Sequence, residues 1–309
     1  MTPPTIRRLS AFTLLELLVA IAILALIGVV LSQIIGATGK TTRISNRAID
    51  AASQARIAFD RIGRDLTNLV RRQDSVFVSS PAGSNLLLFL SLVNAPGLPG
   101  SSVSDNRGIS IVAYRIAPDA TNANRLCLLR GARAINWNDT GFFGLGSDGL
   151  PTAIPAAQQP ATTDFDVLAP GIIRLVVGYQ LYPDNQPAAL ADNTTIPHAL
   201  GQVVYSPPLR ADTGAGKFVD LSRISAIIIG MVAIDLESLK FLSAADVTNF
   251  AGIFPDPVSD ELPCQKWNPL AESAASNPAI SAIPLPARQG VRVFQRFFPI
   301  TPFASKGPQ

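Results

Sequence analysis

The chain is poor in the residues that most catalytic and metal chemistry needs. Its 309 residues include one histidine and two cysteines, and only 15% are charged. The single histidine, His198 in "TIPHAL", leaves no second imidazole for a metal cluster and no visible partner for a nucleophile. Two cysteines, Cys127 and Cys264, are too few for a disulfide scaffold or a thiolate zinc site. They leave room for one bridge if this part of the chain is exported. No G-x-S-x-G, phosphate loop or dinucleotide fingerprint occurs. The acid-rich stretch "FPDPVSDEL" (254–262) offers oxygen ligands but lacks EF-hand spacing. The sequence therefore implies no enzyme, no cofactor and no metal. A pI of 9.1 invites a nucleic-acid reading, yet no Lys/Arg cluster is interleaved with aromatics. Arg7 and Arg8 alone supply two of the three net positive charges.

Two further absences are local. No proline occurs between Pro4 and Pro81, and from Leu9 to Gly39 the only charge is Glu16. What fills the gap is apolar: Leu17 to Leu31 has no polar side chain, and the run reaches Ile35 with only Ser32 and Gln33 interrupting. As a helix, Leu17–Ile35 is about 28 Å long at 1.5 Å per residue, close to a hydrocarbon core of about 30 Å. A carboxylate stands at its mouth, and even lenient insertion scales put an acidic residue at about 2.5 to 3.5 kcal/mol at a helix centre. An ionisable group in such a place points to function. Secretory signals fit poorly. Their apolar region is shorter and ends in an A-x-A-like site, whereas this run ends in "IIGATGK". Flanking charge does not set the orientation, because Arg7 and Arg8 on one side face Lys40, Arg43 and Arg47 on the other.

The periodicity continues past the span. Ala48, Ala52, Ala55, Phe59, Ile62, Leu66 and Leu69 follow the alternating four-three spacing of one helix face. Arg56, Asp60, Arg61, Arg64 and Asp65 fall on the other face as i,i+4 pairs. The pattern predicts one helix over about 12–72, with a membrane span at about 14–35 and an amphipathic spine beyond it. Its alanine-rich start suits close approach to the chain's own sheet rather than a self-pairing coiled coil. Gly28, Gly36, Gly39 and Gly63 read as flexible points, at about 1 kcal/mol each.

After Arg72 the period changes to that of strands: 75–79, 85–92, 108–116, 125–131, 171–182, 202–205, 223–235 and 291–298. Ile173, Leu175, Val177, Tyr179 and Leu181 alternate strictly, as a half-buried strand does, and "AIIIGMV" reads as a central strand. Loops are expected at 93–107, 132–170, 183–201 and 254–290, carrying Trp137 and Trp267. A helix is expected at 243–254 with Ser243 as N-cap. The fold class is α+β, a long N-terminal helix packed on a loop-rich head of antiparallel sheet.

"AFTLLELLVAIAI" closely resembles the class III leader of type IV prepilins and type II secretion pseudopilins. The resemblance implies a cytoplasmic leader, 1–11, cut between Ala11 and Phe12 by a prepilin peptidase that also methylates the new amine. Glu16 then stands fifth in the mature chain and meets the Phe12 amine of a neighbouring subunit. The family usually has Gly before the cut, where this chain has the similarly small Ala11. "AFDRIGRDLTNLVRR" (58–72), followed by strands and "AYRIAP…RLCLLRG", is similar to the J-type minor pseudopilin. The Ala before Phe and "ARIAFDRIGRDL" also resemble the Verru_Chthon cassette protein C group of prepilin-like proteins. These resemblances imply an inner-membrane protein with a periplasmic head (73–309). Its expected partners are other pilins, the prepilin peptidase and an assembly platform, with no nucleic acid. The implied place is near the tip of a pseudopilus or pilus. The alternatives are an exported membrane-tethered hydrolase, or a surface minor pilin for adhesion or DNA uptake.

Overall fold

A computed structural model describes residues 14–70, 77–79, 86–95, 108–119, 122–135, 160, 162–182, 202–205 and 221–300. Trp137, His198, Ala11 and Phe12 lie outside the described residues. Contacts divide the chain into two compact units, one up to Asn46 and one from Arg47 onward.

Helix α1 runs from Leu14 to Thr67. Within the first unit its side chains from Leu14 to Gly39 are all exposed. As the apolar run ends, Thr38 and Thr42 donate their hydroxyls to the carbonyls of Ile34 and Thr38, at 2.8 and 2.9 Å. Such back-bonding keeps small polar groups satisfied without leaving the helix.

The second unit is built on two antiparallel sheets. The first is a meander of β1 (Phe77–Ser79), β2 (Leu86–Ser91), β3 (Ser110–Asp119), β4 (Asn122–Ala134) and β5 (Phe165–Pro170), in that order. The second contains β6 (Ile172–Leu181), β7 (Val203–Val204), β8 (Ile224–Ala233) and β9 (Arg292–Pro299), in the order β7-β6-β8-β9. One glycine joins the sheets. Gly171 has φ +88°, a conformation that L side chains rarely adopt, and a Cβ there would lie 2.5 Å from the Ile234 carbonyl oxygen. The Gly171 carbonyl accepts from Ile234 N at 2.8 Å. The crossing thus needs both the left-handed backbone and the missing side chain.

The spine part of α1 lies in one apolar cluster with both sheets. Ala51, Ala55, Ala58, Phe59, Ile62 and Leu66 pack with Phe89, Tyr114 and Leu128 of the first sheet and with Leu175, Tyr179, Ile227 and Met231 of the second. Burying each large side chain contributes about 1.5–3 kcal/mol. The far face of the second sheet is also covered. Ile173, Val176, Ile228 and Val232 pack under Val247, Phe250, Phe254, Trp267 and Ile283. These come from a C-terminal layer containing α2 (Leu236–Leu239), α3 (Ala244–Gly252), α4 (Pro263–Ser273) and α5 (Leu285–Gly290).

Several expectations need correction. The predicted helix reaches Arg72, but α1 ends at Thr67. The hydroxyl of Ser91 donates to the Asp65 carbonyl at 2.8 Å, and Leu92 N donates to the Asn68 carbonyl at 2.8 Å. With those terminal carbonyls taken by Ser91 and Leu92, the chain turns extended, and Leu69 pairs with Ser91 as an isolated bridge. β5 lies inside the predicted 132–170 loop, and the predicted 254–290 loop holds α4 and α5. Strand β6, expected to be half-buried, is buried on both faces because the C-terminal layer covers its second face. The predicted helix at 243–254 is present as α3, with a complete capping box between Ser243 and Asp246.

Candidate functional site

The site that the sequence singles out is the N-terminal part of α1. Glu16 stands in its first turn, where the partial positive charge of the helix end favours an acid. The helix holds an 18-residue window of mean hydropathy 3.0, none of it buried. By length and composition this helix is able to cross a membrane. A fully exposed apolar cylinder of this kind is stable only in lipid or against other apolar surface. The expected cut, between Ala11 and Phe12, lies outside the described residues.

Of the spine residues, Ala55, Phe59, Ile62, Leu66 and Leu69 are buried, Ala48 is half-buried and Ala52 is exposed. Ala51 and Ala58 are buried in its place. At about 100° per residue, Ala51, Ala55, Ala58 and Ile62 centre the buried arc, and Ala52 falls outside its edge. A strict seven-residue repeat overlooks this offset.

The charged face also differs from the expectation. Arg56–Asp60 and Arg61–Asp65 are i,i+4 neighbours at 3.8 and 3.7 Å, but Arg64 Nε donates to the backbone carbonyl of Asp60 instead of its carboxylate. That carboxylate receives Arg296 Nη1 of β9 at 2.8 Å. Asp65 is not on the surface at all; it is 1% exposed. Its Oδ2 accepts the hydroxyl of Tyr114 from β3 and Nε of Arg130 from β4 at 2.7 Å. Burial, then the charge of Asp65 and its hydrogen bond, push the Tyr114 phenol far above its ordinary value. Burial works against the Arg130 charge, yet the hydrogen bond and charge of Asp65 outweigh it and raise the guanidinium. This polar lock fixes the helix on the first sheet at one register, since a slip leaves buried polar groups unpaired. Its sequence signal is that Asp65 sits three after Ile62 and four before Leu69, inside the apolar stripe.

Two more ties hold α1 near Arg47. Asp50 Oδ2 accepts Leu236 N of α2 at 2.9 Å, and Arg47 Nε lies 3.8 Å from Asp235. Gly63, read as a flexible point, is a contact point. A Cβ there would lie 2.9 Å from Cε1 of Phe298, so its absence lets β9 approach the helix.

The cysteines are not bridged. Cys127, buried on β4, and Cys264, half-buried in α4, are both free, and the bridge that export would allow is not formed. Burial raises both thiols above their ordinary value. Trp267 is fully buried, and its indole N–H donates to the Pro255 carbonyl at 2.7 Å. The acids of 254–262 already have partners: Asp256 pairs with Arg174, Glu261 with Lys266 at 2.9 Å, and Asp260 accepts Val203 N at 3.3 Å. Among the described residues no group of three or more His, Cys, Asp or Glu is placed to hold a metal.

Residues 6–32 match the family model described as the prokaryotic N-terminal methylation motif. The match contains Glu16 and ends in the apolar helix, and it supports a prepilin-like protein. That class is structural rather than enzymatic. No curated protein and no solved structure matches the chain.

Proposed function

We propose that the chain is a minor pseudopilin-like subunit. It is cut between Ala11 and Phe12 by a prepilin peptidase, methylated on the Phe12 amine and assembled through α1 into a filament of a type II secretion or type IV pilus system. The methylation motif at 6–32, placed on a fully exposed apolar helix, carries this reading. The peptidase works at the cytoplasmic face, so the leader stays there and the head occupies the periplasm. Glu16 pairs with the terminal amine of a neighbouring subunit and sets the stacking register. In a low-dielectric surrounding, a misaligned helix leaves one of these charges unpaired. The similarity of 58–72 and the following strands to the J-type pseudopilin supports a place near the filament tip.

N-terminal sequencing of the membrane-extracted protein tests the proposal. Methylated Phe12 as the first residue, dependent on the peptidase, is the expected result. A mature start near Ala37 would mean an ordinary signal-peptidase cut and would end the filament reading.

A further inference from the structure

The chain enters the head at Arg47, and two contacts fix which part of the head lies at that entry. Arg47 Nε is 3.8 Å from Asp235, and Asp50 accepts Leu236 N at 2.9 Å. Gly290, the last residue of α5, packs against Asp235 and Ser238 with no room for a Cβ. The start of α2 and the end of α5 therefore meet where the chain arrives. From Ile35, the end of the apolar run, to Arg47 the chain is helical. That stretch reaches at most about 18 Å at 1.5 Å per residue, and the polar zone on each side of a bilayer fills about 5–8 Å of it. Between Glu16 and Asp50 the only charges are Lys40, Arg43 and Arg47, all basic, which suits lipid phosphates.

Two apolar side chains stand exposed close to this entry. Phe241 is 69% exposed, more than any other large apolar residue described in the second unit. Successive tight turns hold it out. Lys240 N donates to the Glu237 carbonyl at 3.3 Å, Phe241 N to the Ser238 carbonyl at 3.2 Å and Leu242 N to the Leu239 carbonyl at 3.2 Å, while Leu239 and Leu242 are buried in the C-terminal layer. At about 2 Å per residue in such turns, Phe241 is within about 12 Å of Asp235. Leu285, also exposed, begins the short helix that ends at Gly290, about 8 Å away. Glu237 and Lys240 are both exposed beside Phe241, so apolar area rather than net charge distinguishes this patch. A lone exposed phenylalanine is ordinary on a protein surface. What marks this one is its place beside the chain's arrival from the apolar helix.

We propose that Phe241 and Leu285 enter the phospholipid interface of the membrane that holds α1, so that the head touches the bilayer at a second place besides its helix. In that interface an aromatic ring is partly buried while a neighbouring lysine keeps its ammonium in water. The contact rests on the reading of α1 as a membrane span and adds to it a role for the C-terminal layer. A single helix leaves a head free to turn about its axis, and a second contact fixes which side of the head faces lipid.

The test is photocrosslinking of the full chain in vesicles of phosphatidylethanolamine and phosphatidylglycerol that carry a radiolabelled phospholipid. A benzophenone amino acid replaces, one at a time, Phe241, Leu24 of the span and Leu92. Leu92 is also exposed, but it bonds to Asn68, about 30 Å along the spine from Arg47. The expected result is lipid attached at position 241 at least tenfold above that at position 92, with position 24 labelled as well. If the benzophenone variant at 241 does not accumulate, Phe241→Trp serves as a second probe. Its quenching by brominated phospholipid is expected to exceed that of the unaltered chain, whose Trp267 is fully buried, and equal quenching overturns the contact. Lipid at position 24 with none above the position 92 background at 241 overturns the contact and leaves the span standing. Strong labelling at 241 and 92 alike overturns a specific contact, and a chain-to-chain adduct as the main product at 241 overturns lipid as the occupant. No lipid at position 24 overturns the span itself and this contact with it.

Discussion

Glu16 precedes fifteen residues without one polar side chain. Glu16→Leu makes the segment more apolar, so membrane integration is expected to hold and cleavage to continue, since Ala11 and Phe12 are unchanged. Co-assembly is expected to fall, measured by crosslinking to partner pilins in a fractionated, processed inner-membrane pool. Undiminished co-assembly would reduce Glu16 to a partner of its own helix end. A second residue-scale consequence concerns Tyr114, whose phenol is raised by burial and by Asp65. The folded state holds this proton more tightly than the unfolded state does, so the stabilisation is complete below the ordinary tyrosine value of about 10. It is lost above that value at about 1.4 kcal/mol per pH unit. Tyr114→Phe keeps the ring and removes the titration. Denaturation midpoints of the detergent-solubilised chain at pH 8 and pH 11 are therefore expected to drop further in the unaltered protein than in Tyr114→Phe. Equal drops would show that Tyr114 does not control the alkaline limb.

At the scale of elements, α1 is the piece that both sheets share. Phe59→Ala or Leu66→Ala opens a cavity where helix and sheets meet and is expected to destabilise the head by about 2–5 kcal/mol, read by thermal or denaturant unfolding. Unchanged melting with lost self-association would mean that the stripe is a seam between chains. The helix, its apolar span and most strands were legible because their periods are local properties of the chain. The stripe could be followed from Ala55 to Leu66, since 3.5 and 3.6 residues per turn differ little over so short a run. Its alanine-rich start is offset by one residue from the seven-residue pattern, and Asp65 belongs to the buried arc rather than to the opposite, charged face. The place of Asp65 inside the stripe is a local signal, but the groups that satisfy it, Tyr114 and Arg130, lie 49 and 65 residues away. The C-terminal layer was illegible for another reason. α4 starts on Pro263 and contains Pro269, residues that ordinarily signal turns, and its anchor is one buried Trp267. Once that layer was missed, β6 read as half-buried, because the apolar residues on its second face had no visible cover.

At the scale of the whole molecule, the candidate site and the head answer to different evidence. The leader motif spans 6–32 and is readable as sequence alone. The head's architecture exists only after β7 and β9 have taken opposite edges of the second sheet, and no local pattern announces that. Its parts also lie in different sequence neighbourhoods. Phe59 comes from the spine, and Phe298, which it meets, from the last strand.

The bond between Asp60 and Arg296 joins residues 236 positions apart, near the first and last parts of the head. During synthesis, β9 therefore emerges after every other described element, and until then β8 has an unpaired edge and the helix face around Gly63 has no aromatic to meet. A ribosome still holding residues 292–299 holds an unfinished head whose spine has already been made. The closing strand acts as a completion check. Only a chain translated through Pro299 can cover that edge and bring Phe298 against the helix at Gly63.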